Sequence, residues 1–263
     1  MNKNAACHFE APKGLRNLRV WGLLVAALLV MTSFAGCATL GGGPLMNGAK
    51  VENAKTAGGL EYFILTFQPK NPGERFPLVV AFHGKGDDGD SYMASWEQAA
   101  AYKRIMVLTP TWDNWDLKGK DKKKGAFLGD LSQALDEIMA RYPVDTGRVT
   151  LAGVSAGGLV ARWLLRLSPS RWKSVVFIAY ASSEPWRVEP GAKNFPPVLF
   201  VHGVDDEQFS SAQVWKNCEE LHKAGVPVIL MEQPDAGHEH KPEWTSMILQ
   251  WVAPATLGSG RSS

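Results

Sequence analysis

The sequence predicts a three-layer α/β domain, in which a mostly parallel sheet carries helices on both faces. Short segments that are apolar throughout alternate along the chain with longer segments whose apolar residues recur at helical spacing. Short segments that are apolar throughout are typical of the strands of parallel sheets buried on both faces. With 263 residues, 45% of them hydrophobic, the chain is long enough for one large domain.

The strands are short apolar runs, of which PLVVAFHG, bounded by Pro and Gly, shows the pattern most clearly. In chain order we predict strands at 61–69, 77–84, 105–110, 148–153, 174–180, 197–203 and 226–233.

The helices alternate with these strands, and Ser91 is the expected N-cap of the first of them. We predict helices at 91–104, 127–142, 155–167, 210–225 and 242–252. The second has a stripe of apolar residues at helical spacing: Phe127, Leu128, Leu131, Leu135, Ile138 and Met139. The Lys-rich stretch 118–124 before it is interpreted as a solvated loop tip.

Residues 1–36 are predicted to be a targeting segment. They hold four of the 28 Lys and Arg residues and one of the 26 acidic residues, and an apolar run at 20–34 follows the basic flank. That run is short for a membrane-spanning helix and fits the core of a signal peptide. The alternatives are a plain membrane anchor or an ordinary signal peptide.

The end of this segment, FAGC, resembles the lipobox of bacterial lipoproteins, although Phe34 stands where Leu is usual. The resemblance implies that Cys37 is diacylated and anchors the chain to a membrane. Ala38 follows the cysteine, which by resemblance to enterobacterial sorting favours the outer membrane.

The rest of the chain divides into three predicted parts. Residues 37–58 are interpreted as the lipidated cysteine and a flexible tether, 59–252 as the α/β domain and 253–263 as a disordered tail. Beyond residue 36 the chain has 24 basic and 25 acidic residues, which gives no indication of a nucleic-acid partner. Cys218 is interpreted as a packed small apolar residue.

One serine lies between glycines where the strand at 148–153 meets the next helix. The segment GVSAG, residues 153–157, matches the G-x-S-x-G nucleophile elbow, a strained strand-to-helix turn that projects the serine hydroxyl from the sheet. The alternative is a phosphate-binding turn, but G-x-G-x-x-G is absent. We therefore interpret Ser155 as a nucleophile.

A nucleophilic serine needs a base and a group that orients the base. Asp205 and Asp206 follow the strand at 197–203, at the edge where open α/β sheets bind ligands. His238 and His240 follow one strand later, so the chain order is Ser, acid, His, as in nucleophile-elbow enzymes. These two histidines could instead bind zinc, but no further His or Cys cluster accompanies them, so no metal is predicted.

Four segments together resemble the α/β-hydrolase superfamily: YFILTFQPKNPGERFPLVVAFHGKGDDGDS, VDTGRVTLAGVSAGG, VLFVHGVDDEQF and PDAGHEH. The resemblance covers about residues 60–252 and is closest to small carboxylesterases, dienelactone hydrolases and polyhydroxybutyrate depolymerases. It implies Ser155 as nucleophile and His238 as base. It also implies Asp206, at the end of H-G-x-x-D, as the acid, with Asp205 in reserve.

The resemblance further implies an oxyanion hole made of two backbone N–H groups, from Lys85 and Ala156. The family usually has an apolar residue where Lys85 stands. A P-loop interpretation of FHGKGDDGD fails because Asp90 occupies the position that requires Lys. His83 and His202, each before a Gly at a strand end, are interpreted as buried structural histidines that bond loop backbone.

The implied activity is that of a serine hydrolase, most simply a carboxylic ester hydrolase that works through an acyl-enzyme and needs no cofactor. The substrate would be a small or polymeric ester. A serine peptidase or amidase on the same scaffold, and a non-catalytic surface-anchored binding protein, remain alternatives. Trp112 and Trp115 lie in a loop beside the expected cleft, where they would either contact substrate or pack the loop.

Overall fold

The structure is a computed structural model that describes residues 45–112, 121–188 and 194–253. The predicted signal segment, Cys37, Trp115 and residues 254–263 of the predicted tail lie outside the described residues.

The described chain is built on one sheet of eight strands. The strands are β1 (Lys50–Lys55), β2 (Glu61–Thr66), β3 (Phe76–Phe82), β4 (Met106–Pro110), β5 (Val144–Val154), β6 (Ser174–Ile178), β7 (Val198–Gly203) and β8 (Val228–Gln233). Their order across the sheet is β1-β2-β4-β3-β5-β6-β7-β8. β2 pairs antiparallel with β1 and β4, and every pair from β4 through β3 to β8 is parallel.

The main helices are α1 (Gly89–Ala94), α2 (Glu97–Lys103), α3 (Asp121–Arg141), α4 (Ala156–Leu167), α5 (Ser211–Lys223) and α6 (Pro242–Val252). β3, β4, β6 and β7 are buried along their whole length, as parallel strands covered on both faces require. The mostly parallel α/β architecture predicted from the sequence is therefore confirmed.

The first strand corrects one prediction. Lys50–Lys55 forms β1, in register with β2 from the pair Lys50 and Thr66 to the pair Lys55 and Glu61, although the sequence predicted a flexible tether over 37–58. The segment KVENAK is polar because it is an edge strand with no fully buried residue. Its backbone pairing, and not an apolar pattern, makes it a strand.

Two helices also differ from their predicted form. The helix expected at 91–104 is split into α1 and α2, and the indole of Trp96 at the break is fully buried against the rings of Tyr92 and His240. The N-cap of α1 is Asp88, not Ser91, since Asp88 Oδ1 accepts a hydrogen bond from the N–H of Ser91. α3 begins at Asp121, inside the stretch interpreted as a loop tip, and Lys is a good helix former.

Across the described ranges, no helix is both long enough and apolar enough to cross a bilayer.

Candidate active site

Ser155 occupies a sharp turn between β5 and α4. Its φ of 52° and ψ of −118° lie outside the regions that non-glycine residues normally adopt, so the turn is strained. The N–H of Ser155 donates to Ile178 O at 3.0 Å, which ties the turn to the end of β6. The pairing of β5 with β3 and β6 keeps the backbone in this conformation, which an ordinary loop residue does not adopt.

The glycines around Ser155 allow the backbone to approach neighbouring elements closely. A Cβ on Gly153 would overlap the carbonyl of Gly157, and a Cβ on Gly157 would overlap the carbonyl of Phe82 at the end of β3. A Cβ on Gly158 would collide with the ring of Tyr180. No side chain fits at these positions, which accounts for the Gly-rich sequence that follows the strand.

Three of the predicted site residues meet at the carboxyl edge of the sheet. His238 Nε2 lies 2.8 Å from Ser155 Oγ, and His238 Nδ1 lies 2.9 Å from Asp206 Oδ2. The side chain of Asp206 has no exposed surface, and that of His238 is 17% exposed. The arrangement leaves His238 able to accept a proton from the hydroxyl while Asp206 holds its other nitrogen as the donor.

Asp206, and not Asp205, carries the buried carboxylate. Asp206 Oδ1 accepts hydrogen bonds from the N–H groups of Gln208 at 2.8 Å and Phe209 at 3.0 Å. Burial favours the neutral acid, but the bonds from Phe209, His238 and Gln208 outweigh it and hold the pKa of Asp206 below its usual value. Asp205 is exposed, and its N–H donates to Ala236 O at 2.9 Å.

The loop that carries His238 packs directly on the end of β7. A Cβ on Gly203 would overlap the carbonyls of Ala236 and Gly237, so this glycine permits the close approach. The ring of Phe209 lies 5.7 Å from the ring of His238 and covers one side of it. These contacts fix the imidazole between the serine and the carboxylate.

The loop after β3 borders the nucleophile. A Cβ built on Gly84 would lie 3.7 Å from Ser155 Cβ. His83, which is buried, bonds Gly84 O through Nδ1 at 2.8 Å and accepts from the N–H of Trp112 through Nε2 at 3.3 Å. The prediction that His83 bonds loop backbone is confirmed, and the two bonds define a neutral ring protonated at Nδ1, in keeping with the lowering of its pKa by burial.

The bond from His83 also orients the peptide between Gly84 and Lys85. Because the carbonyl and N–H of a trans peptide point in opposite directions, holding Gly84 O fixes the direction of the Lys85 N–H. Among the residues that the structure describes, neither that N–H nor the N–H of Ala156 has an acceptor. The side chain of Lys85 is exposed.

His240 is a packed residue with two partners. Its Nδ1 lies 3.2 Å from the hydroxyl of Tyr92, and its Nε2 lies 3.0 Å from Thr245 Oγ1. Burial lowers the pKa of His240 to about 3.

No group of three or more His, Cys, Asp or Glu that could hold a metal occurs in the part of the chain that the structure describes. Cys218 is buried as predicted, and burial raises its pKa to about 12.

Three buried polar side chains, those of His202, Arg162 and Asn217, differ from expectation or were not predicted. His202 does not bond loop backbone as expected, since neither of its ring nitrogens has a hydrogen bond among the described residues. Arg162 is fully buried in α4 and bonds Glu184 and the carbonyl of Pro185, while Asn217 of α5 bonds both backbone groups of Ser182. A polar residue inside an otherwise apolar helical stripe was the available signal for Arg162 and Asn217.

The chain is similar in part to known proteins. The model of the prolyl oligopeptidase family matches residues 91–183, about a third of the chain, which include Ser155 but neither Asp206 nor His238. A bifunctional acetylxylan esterase/xylanase of Neocallimastix patriciarum is 26% identical over 165 residues, covering 57% of this chain. The chain spans only 22% of the length of that relative.

Solved structures match over most of the chain at low identity. An esterase from Pyrobaculum calidifontis matches with a TM-score of 0.62 and 16% identity, covering 80% of this chain and 85% of its own. An S-formylglutathione hydrolase from Agrobacterium tumefaciens matches with a TM-score of 0.63 and 17% identity, covering 78% of this chain and 95% of its own. The chain has the α/β-hydrolase fold.

In this α/β-hydrolase fold, a cavity of about 690 Å³ opens next to the loop after β3. Its lining includes Gly86, Asp87, Glu61 and Trp112, but none of Ser155, Asp206 and His238. Trp112 is 6% exposed and its ring stacks on that of His83 at 5.2 Å. Trp112 could contact substrate or pack the loop, and its burial and its stacking on His83 support packing.

Proposed function

We propose that the chain is a serine hydrolase that cleaves carboxylic esters, with Ser155 as nucleophile, His238 as general base and acid, and Asp206 as the residue that orients His238. The observation that carries the proposal is the continuous hydrogen-bonded series from Ser155 Oγ through His238 to Asp206, on a strained turn. An ordinary Gly-rich turn has no need of a buried base and carboxylate.

The geometry supports acyl transfer in two steps. His238 Nε2 takes the hydroxyl proton as Ser155 Oγ bonds the carbonyl carbon, and the carbonyl electrons move to the oxygen. When that intermediate collapses, the C–O bond to the alcohol breaks and the alcohol leaves with the proton from His238. Water then repeats the sequence on the acyl-enzyme, releasing the acid and returning the proton to Ser155.

The oxyanion in each step would be held by the N–H groups of Lys85 and Ala156. Within the described ranges neither N–H has an acceptor, and His83 fixes the Gly84–Lys85 peptide; both observations support this role. Removing one such donor in well-studied hydrolases costs about 10²–10³ in kcat, so the hole is a major part of the proposed rate enhancement. The side chain of Lys85 would place a positive charge near the entrance.

A peptidase or amidase is the second candidate, supported by the match of residues 91–183 to the prolyl oligopeptidase family. The esterase and S-formylglutathione hydrolase names of the structural neighbours, and the acetylxylan esterase name of the sequence relative, support ester cleavage instead.

We further propose, from the sequence alone, that Cys37 is lipidated and anchors the enzyme to the bacterial cell envelope, on the outer membrane.

Turnover of paired substrates tests the proposal. Purified chain lacking residues 1–37 is assayed with p-nitrophenyl acetate, butyrate and decanoate and with matched aminoacyl p-nitroanilides, beside the Ser155→Ala variant. We expect ester turnover that the variant lacks. Anilide turnover exceeding ester turnover would favour the peptidase, and equal activity of both proteins would reject Ser155 as nucleophile.

A further inference from the structure

A second imidazole approaches the carboxylate oxygen that bonds His238. His202 Nδ1 lies 3.8 Å from Asp206 Oδ2, the same oxygen that lies 2.9 Å from His238 Nδ1. His202 is the last residue of β7 before Gly203 and is 1% exposed. Two histidines therefore converge on one carboxylate oxygen, and only one of them has a role in the chemistry described above.

The ring of His202 has an unused donor. Among the described residues neither nitrogen of His202 has a hydrogen bond, and a buried polar group without a partner destabilises the folded state. An apolar side chain would fill the position without that cost. Burial lowers the pKa of His202, so the ring is neutral and carries a single N–H.

The surroundings of His202 indicate which acceptor this N–H serves. Three titratable groups act on its ring: Asp206 from the loop after β7, Glu232 from the neighbouring strand β8, and His238 from the loop after β8. Glu232 is exposed, whereas the carboxylate of Asp206 is fully buried. Asp206 Oδ1 already accepts two backbone N–H groups, while Oδ2 accepts from His238 alone among the described residues and has room for a second donor.

We propose that His202 is a positioning residue, which donates its Nδ1–H to Asp206 Oδ2 in the reacting enzyme and thereby fixes the orientation of the carboxylate that faces His238. The inference rests on the proposed function. The present separation is too long for a hydrogen bond, and a movement of about 1 Å brings the two atoms into range. No proton leaves His202 at any step.

This role predicts a difference between variants that can be measured at His238. A second donor stabilises the Asp206 carboxylate most when His238 is neutral, because protonated His238 itself supplies a positive charge. We therefore expect loss of the His202 donor to favour the protonated form of His238. His202→Leu removes the donor, whereas His202→Asn keeps an N–H close to the position of Nδ1.

The test is an NMR titration of His238 in the wild type, His202→Leu and His202→Asn, with the exposed His222→Leu on α5 as a control for the loss of a histidine. We expect the titration of His238 to move to higher pH in His202→Leu than in the wild type, and to be unchanged in His202→Asn and His222→Leu. In kinetics, the acid limb of kcat/KM should shift with that titration in His202→Leu, and kcat should fall severalfold at constant KM.

The proposal is overturned if His202→Leu leaves the titration of His238 unchanged, or if His202→Asn shifts it as much as His202→Leu, which would indicate packing alone. The nitrogen-15 spectrum of wild-type His202 provides a test that needs no variant to fold, since a ring protonated at Nε2 would also reject the inference. Neither NMR measurement depends on turnover. Absence of ester cleavage with these NMR results intact would reject the proposed function and leave the hydrogen bond established.

Discussion

His238 Nε2 lies 2.8 Å from Ser155 Oγ although 83 residues separate the two in the chain. Three packed elements produce this contact: the strained turn after β5, the close approach of the 234–240 loop to Gly203, and the cover that Phe209 gives to the imidazole. Substitutions can alter each of these elements separately, so the contact between Ser155 and His238 can be tested by independent variants.

The two adjacent aspartates should differ sharply in their effect on activity. Asp206→Asn should preserve folding and lower kcat on the order of 10⁴-fold, by analogy with the serine-protease triad, because the amide cannot hold His238 as a donor at Nδ1. Asp205→Asn should change kcat little, since the side chain of Asp205 is exposed and its backbone N–H, which donates to Ala236 O, is kept. Steady-state kinetics of both variants at one pH measures the difference. A severe loss in Asp205→Asn with normal turnover in Asp206→Asn would reverse the assignment.

Gly157 should tolerate no side chain. A Cβ there would overlap the backbone carbonyl of Phe82, so Gly157→Ala should lower the free energy of unfolding by about 2 kcal/mol or more and reduce activity. Gly129→Ala on α3 is the matched control, because nothing lies within 4 Å of its added Cβ. It should be stabilising by about 0.5–1 kcal/mol. Urea denaturation compares them, and equal stabilities would contradict the close approach of β3 to α4.

The partly buried His240 should make the fold sensitive to acid. Its pKa of about 3 in the folded chain, against 6.5 for the ordinary side chain, means that the unfolded chain binds one more proton between these values. Stability therefore falls as the pH drops from about 6.5 towards 3, by at most about 1.4 kcal/mol per pH unit for this group. Urea denaturation of His240→Gln over this range should show a shallower slope than the wild type. Identical slopes would mean that His240 is protonated in the folded protein.

The sequence also makes a prediction for Cys37. If it is the lipidated residue, Cys37→Ser should abolish labelling with a palmitate analogue and leave the leader uncleaved when the full chain is expressed in a Gram-negative host. The acyl chains are expected to anchor the mature protein, since each buried CH₂ contributes about 0.8 kcal/mol. Labelling that survives the substitution would show that another residue is acylated, whereas a wild-type chain that takes no label would favour a plain membrane anchor.

The parallel strands and the elbow could be predicted because they depend on local patterns. Apolar runs mark β3, β4, β6, β7 and the second half of β5, and GVSAG marks the turn. β1 could not be predicted, since a polar edge strand is stabilised by pairing with β2 rather than by its own composition. The choice of Asp206 over Asp205 rested on a family resemblance, because the tight turn after Gly203 decides which side chain points inward. The approach of His202 to that carboxylate depends on the same turn.

Covalent labelling of the nucleophile tests the central claim most directly. The purified chain is treated with a fluorophosphonate, digested, and mapped by mass spectrometry, with Ser155→Ala and heat-unfolded wild type treated in parallel. We expect one adduct, on Ser155, formed only by the folded wild type and suppressed by an ester substrate that is turned over. An adduct on another residue, or an unlabelled Ser155 in a protein that still cleaves esters, would contradict the account.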